Sequence, residues 1–199
     1  TYGATKLLME KLFISANTYV NRLKHKTKFV AVRYGNVLGS SNSVIPKFIE
    51  QINTKGEISI TDPKMTRFTI TMNNAVDLIF YAMKNGFGGE VFIPKLNAYR
   101  LEILAETIKE IVGKSAEITK IPVRPGEKFH ESLISTDEIR HTTQNEDVYL
   151  ILDKEVHPLT FGKWTNLKKV DIESYSSDKV RCLEKNELKQ IIQKELDLL

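Results

Sequence analysis

The fold is decided by the stretch Lys28-Phe29-Val30-Ala31-Val32-Arg33, which is rich in β-forming residues and predicts a short buried strand. Before it, apolar residues recur at spacings of three and four from Tyr2 to about Leu23, as they do on one face of a helix. After it, residues Tyr34 to Ser43 have the composition of a loop. Helices and strands continue to alternate along the chain, so the sequence predicts an α/β fold.

The rest of the chain repeats this alternation with short connections. Further helices are predicted over Val44–Asn53, Met72–Lys84, Leu101–Val112 and Asn186–Leu199. Further strands are predicted over Ile58–Ile60, Thr66–Thr71, Glu90–Ile93, Glu117–Ile121 and Val148–Leu152, the last being the only strand predicted between Thr142 and Ser177.

Composition narrows the class of protein. The 199 residues are 41% hydrophobic and 27% charged, as in an ordinary globular domain, and no apolar run is long enough for a membrane helix. The single cysteine, Cys182, is compatible with a reducing cytoplasm, where we expect the protein to be located. Because no such apolar run occurs, a membrane is not an expected partner. The net charge is only +4, and the one dense basic cluster lacks interleaved aromatic residues, so nucleic acid is not an expected partner either. The cluster consists of Arg22, Lys24, His25, Lys26 and Lys28.

A phosphate-binding glycine turn is missing from the sequence. Neither G-x-G-x-x-G nor G-x-x-x-x-G-K occurs in the chain. His130 and Glu131 are adjacent, but no further histidine or carboxylate follows at metal-ligand spacing, so we predict no metal site.

Tyr2 and Lys6 lie four residues apart in the first predicted helix, which places both side chains on one face. An ammonium beside a phenol favours the phenolate, and a phenolate is suited to act as general base on a sugar hydroxyl. Because Tyr175 and Lys179 repeat the spacing, the spacing alone does not separate catalysis from a surface pair.

Four segments together carry a family resemblance; they are Tyr2-Gly3-Ala4-Thr5-Lys6, Val32-Arg33-Tyr34-Gly35-Asn36-Val37, Thr61-Asp62-Pro63-Lys64-Met65-Thr66-Arg67-Phe68 and Arg124-Pro125-Gly126-Glu127-Lys128-Phe129-His130-Glu131. As a set they resemble the extended short-chain dehydrogenase/reductase family. Within that family the chain is most similar to the inverting UDP-N-acetylglucosamine 4,6-dehydratases (5-epimerising) of pseudaminic acid biosynthesis. The resemblance runs through nearly the whole chain, including the tail around Tyr175-Ser176-Ser177.

The resemblance implies a Rossmann-like fold and NADP, or alternatively NAD, as cofactor. Tyr2 would take the proton of the sugar 4-hydroxyl while the C4 hydride passes to the nicotinamide, and Lys6 would hold the nicotinamide ribose. Water would then leave across C5 and C6, the hydride would return to C6, and protonation at C5 from the opposite face would invert that centre. Tyr34, Gly35 and Val37 would also contact the nicotinamide.

The resemblance also implies a set of substrate contacts. Arg67 and Arg124 would bind the diphosphate, where a planar guanidinium matches phosphate geometry. Glu127 would accept hydrogen bonds from the uridine ribose, and Asn36 would hydrogen bond to the sugar nucleotide, although Asn36 could instead cap its own turn. The remaining substrate candidates lie at a predicted helix start or in the third segment; they are Ser43, Lys47 and Thr61.

For the domain organisation, residues 1–40 are predicted to be the last part of a dinucleotide-binding domain. Residues 41–199 are predicted to form mainly a nucleotide-sugar substrate domain with a C-terminal extension, some segments returning to the Rossmann sheet. The cofactor-binding half would lie upstream of Thr1, so we expect the 199-residue chain to be inactive alone and the full-length protein to be a homo-oligomer.

Two alternatives remain open at the level of sequence. Within enzymes, a nucleotide-sugar 4-epimerase or a retaining 4,6-dehydratase would use the same Tyr/Lys pair and the same arginines. From another class, the chain could be a non-catalytic domain that binds nucleotide sugars or mediates oligomerisation.

Overall fold

The computed structural model describes residues 2–19, 26–40 and 43–196. Within these ranges the helices are α1 (Tyr2–Tyr19), α2 (Val44–Lys55), α3 (Met72–Asn85), α4 (Leu101–Val112), α5 (Pro158–Phe161) and α6 (Lys185–Leu196), with a 3₁₀ turn at Ile139–His141. The strands are β1 (Ala31–Val32), β2 (Asn36–Val37), β3 (Glu57–Ile60), β4 (Thr66–Ile70), β5 (Val91–Pro94), β6 (Ala98–Arg100), β7 (Glu117–Lys120), β8 (Ser132–Ile134), β9 (Thr142–Gln144), β10 (Val148–Ile151), β11 (Lys168–Lys169) and β12 (Tyr175–Ser176). The α/β class predicted from the sequence is confirmed.

The chain divides into two compact units, each built from three separate segments. The first unit consists of residues 1–33, 76–95 and 134–174, and the second of residues 34–75, 96–133 and 175–199. The predicted division at residue 40 into dinucleotide-binding and substrate parts stays a prediction.

The first unit is organised around a five-stranded sheet in the order β1-β5-β10-β9-β11. Strand β1 runs parallel to β5, and the pairs from β5 to β11 are antiparallel. One face of this sheet packs on α3 through Phe92, Leu150 and Leu78, with Trp164 at the edge of the same cluster. Apolar residues on α3 and on alternate strand positions thus form the core of this unit.

The second unit contains the larger apolar core, formed by helices α2, α4 and α6. Phe48 and Ile52 from α2, Leu104 and Ile108 from α4, and the α6 residues Leu188 and Ile192 are all buried in one cluster. Two small sheets, β2-β4-β6 and β3-β7, accompany these helices, and β12 pairs with β8. Strands β2, β4 and β6, helix α2 and the segments that follow β3 and β7 carry the candidate site.

Several predicted elements need correction. The strand expected over Lys28–Arg33 is limited to Ala31–Val32, and the expected loop Tyr34–Ser43 contains strand β2, because Asn36 and Val37 pair in parallel with Thr69 and Ile70. Between Thr142 and Ser177 the sequence predicted one strand, whereas β9, β11, β12 and α5 also form there.

The first helix exposes much of its predicted apolar face. Leu7, Leu8, Leu12, Phe13 and Tyr19 are each at least 50% exposed. The helix is described to Tyr19, so its predicted extension to Leu23 and most of the basic cluster lie outside the described residues. Apolar periodicity therefore predicted the helix correctly, although it did not identify a buried face within the described chain.

Candidate functional site

A cavity of about 260 Å³ lies in the second unit and is lined by charged and polar side chains. Six of the seven predicted substrate residues line it; they are Asn36, Lys47, Thr61, Arg67, Arg124 and Glu127. Three of these six are cationic and one is anionic, so the lining carries a net charge of +2. A cavity with this charge is suited to bind a multiply charged anion.

The pairing of two strands brings Arg67 into this cavity. Strand β4 runs antiparallel to β6, and Arg67 lies directly opposite Tyr99 in that register. Because directly opposed residues of an antiparallel pair project to the same face of the sheet, the guanidinium and the phenol are neighbours. Both side chains line the cavity.

The Arg67 guanidinium is held in place by backbone and side-chain acceptors. Its Nη1 donates to the carbonyl oxygens of Thr66 and Phe129 at 2.8 and 3.1 Å. Its Nη2 lies 3.6 Å from Glu127 Oε1, and its Nε lies 3.7 Å from Glu131 Oε1. With only 14% of its side chain exposed, Arg67 is pre-positioned and loses little rotational freedom on binding an anion.

The turn that carries Arg124 also fixes Glu127. Gly126 has a φ of 81°, which allows a tight turn in which the Glu127 N–H donates to the Arg124 carbonyl at 3.0 Å. One carboxylate oxygen of Glu127 accepts from Thr61 Oγ1 at 3.1 Å, and the other accepts from the Arg124 N–H at 3.2 Å. Among the described residues, no carboxylate lies within ion-pair distance of the Arg124 guanidinium, which is therefore available to an anionic ligand.

A second cavity of about 220 Å³ adjoins the first and lies at the start of α2. Ser43, the remaining predicted substrate residue, lines this second cavity. It occupies the N-cap position of α2, but its hydroxyl makes no capping hydrogen bond to the helix. Asn36, Val44 and Tyr99 line both cavities.

Two residues of this region were missed as site residues from the sequence. Tyr99 is fully buried, and burial raises the pKa of its hydroxyl to about 12, although the nearby Asn36 side chain opposes the shift. Burial also raises the pKa of the Glu131 carboxyl, against the effect of Arg67 and of the Phe68 N–H, which donates to Glu131 Oε2 at 3.1 Å. Tyr99 has no local sequence signal, because its position depends on strand register. Glu131 lies at the end of the fourth family segment, which is the signal that could have pointed to it.

Hydrogen bonds to Thr66 and Ser177 hold the Glu131 segment against β4. Thr66 Oγ1 lies 2.7 Å from both His130 Nδ1 and Ser177 Oγ, and Ser177 Oγ accepts from the Glu131 N–H at 2.9 Å. In the described part of the chain, no three His, Cys, Asp or Glu side chains are grouped as a metal site requires.

The residues predicted to contact the nicotinamide are divided between the two units. Tyr34, Gly35 and Val37 belong to the second unit, where a Cβ on Gly35 would come within 2.4 Å of Phe68 Cβ. This glycine is therefore required for close packing of the backbone on β4. Tyr2 and Lys6 belong to α1 in the first unit; Lys6 is exposed, and the Tyr2 side chain lies outside what the structure describes.

Comparison with known proteins identifies the family. The family model described as "Polysaccharide biosynthesis protein" matches residues 1–153. The chain belongs to this family. No helix in the described ranges is both long enough and apolar enough to cross a bilayer.

Relatives of this polysaccharide biosynthesis protein family match nearly the whole chain. The chain is 37% identical over 193 residues to a protein from Rickettsia massiliae named UDP-glucose 4-epimerase. This alignment covers 96% of this chain and 56% of the relative. It is 40% identical over 204 residues to an uncharacterized membrane protein of Methanocaldococcus jannaschii, over 99% of this chain and 58% of the relative. The chain thus spans little more than half the length of these relatives.

A solved structure of a related protein has the same fold. The X-ray structure of Pen from Bacillus thuringiensis superposes with a TM-score of 0.85 at 38% identity, covering all of this chain and 58% of Pen. The predicted resemblance to the extended short-chain dehydrogenase/reductase family is confirmed at the level of family and fold.

Proposed function

We propose that the second unit binds a nucleoside diphosphate sugar. The observation that carries this proposal is the 260 Å³ cavity, which is lined by Arg67, Arg124 and Lys47 and by one carboxylate, Glu127. Two guanidiniums are suited to bind the paired phosphates of a diphosphate, and a carboxylate is suited to accept from a ribose diol.

We further propose that the chain is the substrate-binding part of an inverting UDP-N-acetylglucosamine 4,6-dehydratase. The support is the set of sequence segments that resembles this subgroup, together with membership of the polysaccharide biosynthesis family. The second candidate is a 4-epimerase, which is favoured by the name of the Rickettsia relative.

A nicotinamide cofactor, NADP or NAD, would supply the hydride acceptor in either reaction. Lys6 lies one helical turn from Tyr2 and carries an exposed ammonium group. This group is suited to donate hydrogen bonds to the ribose hydroxyls of the cofactor. In this proposal Tyr2 takes the proton from the sugar 4-hydroxyl, and Lys6 favours the ionised phenol. Gly35 lies in the loop that would border the nicotinamide. Phe68 approaches it so closely that a Cβ at this position would not fit. A dinucleotide pyrophosphate turn is not among these residues, so we expect no turnover by the 199-residue chain alone.

Calorimetric titration of the chain with UDP tests the binding proposal. We expect micromolar affinity for the wild-type chain and at least a tenfold loss in Arg124→Ala, because a charge-assisted hydrogen bond contributes about 1.5–3 kcal/mol. Arg100→Ala is the matched control, since Arg100 is an exposed arginine of the same unit that pairs with Glu102. Absence of UDP binding by the wild-type chain would contradict the proposal.

The reaction itself is tested in a protein that carries a dinucleotide-binding half ahead of this chain. A dehydratase releases a product lighter than UDP-N-acetylglucosamine by one water, whereas an epimerase leaves the mass unchanged. Tyr2→Phe should abolish either reaction and retain substrate binding, since only the ionisable oxygen is removed. Unaltered turnover in Tyr2→Phe would exclude Tyr2 as the base.

A further inference from the structure

The Tyr99 hydroxyl is a buried polar group that is only weakly paired within the fold. The side chain is fully buried, and among the described residues its oxygen has no partner at full hydrogen-bond geometry; the Asn36 side chain interacts with it and lowers its pKa, against the larger effect of burial. Leaving a buried hydroxyl unpaired is unfavourable, so such groups in a folded protein call for an explanation.

The position of this hydroxyl suggests what would pair with it. Tyr99 lines both the charged cavity and the smaller cavity beside it. It is also the direct cross-strand neighbour of Arg67. A ligand whose phosphate is bound by Arg67 and that continues into the smaller cavity would therefore lie beside Tyr99, as well as beside Asn36 and Val44, which line both cavities.

The two cavities differ in the chemistry of their linings. The smaller one is lined, within the described residues, by neutral groups only, and its polar members are Asn36, Ser40, Ser43 and Tyr99. Like Tyr99, Ser43 presents a buried hydroxyl oxygen with no partner at full hydrogen-bond geometry in the described chain. Neutral hydroxyls and an amide are suited to an uncharged, hydroxyl-bearing group, whereas the larger cavity is suited to phosphates.

We propose that Tyr99 is a specificity-determining residue whose hydroxyl donates a hydrogen bond to the uncharged glycosyl part of a nucleoside diphosphate sugar. This inference rests on the proposed function of the site. Tyr99 acts as a neutral donor and not as a base, because burial keeps the phenol protonated at physiological pH. The smaller cavity then holds the polar substituents that follow the diphosphate.

Two ligands separate this role from diphosphate binding. We expect Tyr99→Phe to bind UDP as the wild-type chain does and to bind UDP-N-acetylglucosamine about 5- to 10-fold more weakly, which corresponds to the loss of one hydrogen bond. Calorimetry with both ligands makes the comparison. Equal affinities of the two proteins for the sugar nucleotide, or equal losses for both ligands, would overturn the inference. If the wild-type chain binds neither ligand, the proposed function fails as well, and that pattern is distinct from a failure at Tyr99 alone.

Tyr175 provides the matched control for a structural effect. It is a buried tyrosine of the same unit, but its hydroxyl accepts from the Leu96 N–H at 2.5 Å and lies 3.3 Å from the Leu96 carbonyl. We expect Tyr175→Phe to lower the thermal midpoint and to leave both affinities unchanged. Tyr99→Phe should show the reverse, with a midpoint equal to or above that of the wild type. A lower midpoint in Tyr99→Phe would assign its hydroxyl a structural role and contradict the inference.

Discussion

The carboxylate of Glu127 lies 3.6 Å from the guanidinium of Arg67 and shares the cavity with it. Arg67 is proposed to bind phosphate, and the negative charge of the neighbouring Glu127 weakens the attraction of this site for phosphate. Its presence is favourable only if it recognises a different part of the ligand. Glu127 is therefore expected to affect nucleoside and phosphate binding in opposite directions.

Glu127→Gln should weaken UDP binding about tenfold, because a neutral amide is a poorer acceptor for ribose hydroxyls than a carboxylate. The same variant should bind inorganic pyrophosphate equally well or more tightly, since a repulsive charge is removed. Calorimetry with both ligands tests this, with Glu102→Gln as control for a partly exposed carboxylate of the same unit. Parallel losses for UDP and pyrophosphate would show that Glu127 has no separate nucleoside contact.

Arg67→Lys should destabilise the protein as well as weaken UDP binding. A lysine has one donor group and cannot reach the Thr66 and Phe129 carbonyls and both carboxylates at once. We expect a loss of about 1–3 kcal/mol in the free energy of unfolding, measured with urea. Arg181→Lys is the control, because Arg181 is 58% exposed and pairs with Glu187 at the surface. A change in Arg67→Lys as small as in this control would mean that the backbone contacts of Arg67 contribute little to stability.

Gly35→Ala should destabilise the second unit through overpacking. The added Cβ would lie 2.4 Å from Phe68 Cβ and 2.8 Å from the Phe68 carbonyl carbon, so one strand must move. Overpacking of this kind costs about 1–3 kcal/mol, measurable by urea unfolding. Gly3→Ala is the control, since among the described residues a Cβ there would meet no heavy atom within 4 Å outside its own turn of helix. Equal stabilities of the two variants would show that β2 and β4 separate easily at this contact.

The first unit should lose stability in acid through Glu138. Burial alone would raise the pKa of this carboxyl, but hydrogen bonds from Arg33 and the Ser135 N–H outweigh burial and lower the pKa to about 2 from its ordinary 4.5. The folded state thus holds this proton more weakly than the unfolded state does. The resulting stability is present above about pH 5 and is lost as the pH falls towards 2.

Urea unfolding at several pH values measures this effect. Because solvent screens the partly exposed carboxyl, we expect the wild type to lose about 1–2 kcal/mol more than Glu138→Gln between pH 5 and 2. Glu146→Gln, an exposed carboxylate of the same unit, should follow the wild-type curve. Superimposable curves for the wild type and Glu138→Gln would remove Glu138 from the acid response.

Local signals in the sequence predicted the longer elements well. Helix α4 begins at Leu101 and ends at Val112 as predicted, because apolar periodicity defines it and Gly113 ends it with a φ of 70°. Apart from β1, the strands of two or three residues escaped prediction, since a strand such as Lys168–Lys169 has exposed side chains and forms only through its pairing with β9.

The candidate site shows the same division between local and long-range information. Arg67, Arg124 and Glu127 belong to contiguous segments that the sequence singled out, and the structure brings all three to one cavity. The contribution of Tyr99 could not be predicted, because it depends on the register that pairs Thr66 with Arg100 across more than thirty residues. Thr61 was predicted as a substrate residue only because it belongs to the third family segment. Its contact with Glu127 could not be predicted, because that contact depends on the turn at Gly126.

Helix α6 has a consequence for the order of events during synthesis. Its Leu188 and Ile192 complete the apolar core beneath α2 and α4, which carry part of the cavity wall. A nascent chain that has already released residues 36–127 from the ribosome still lacks these two side chains. The ligand cavity can therefore mature only after α6 has been synthesised, and a premature stop codon before Lys185 would remove a binding site whose own residues are all intact.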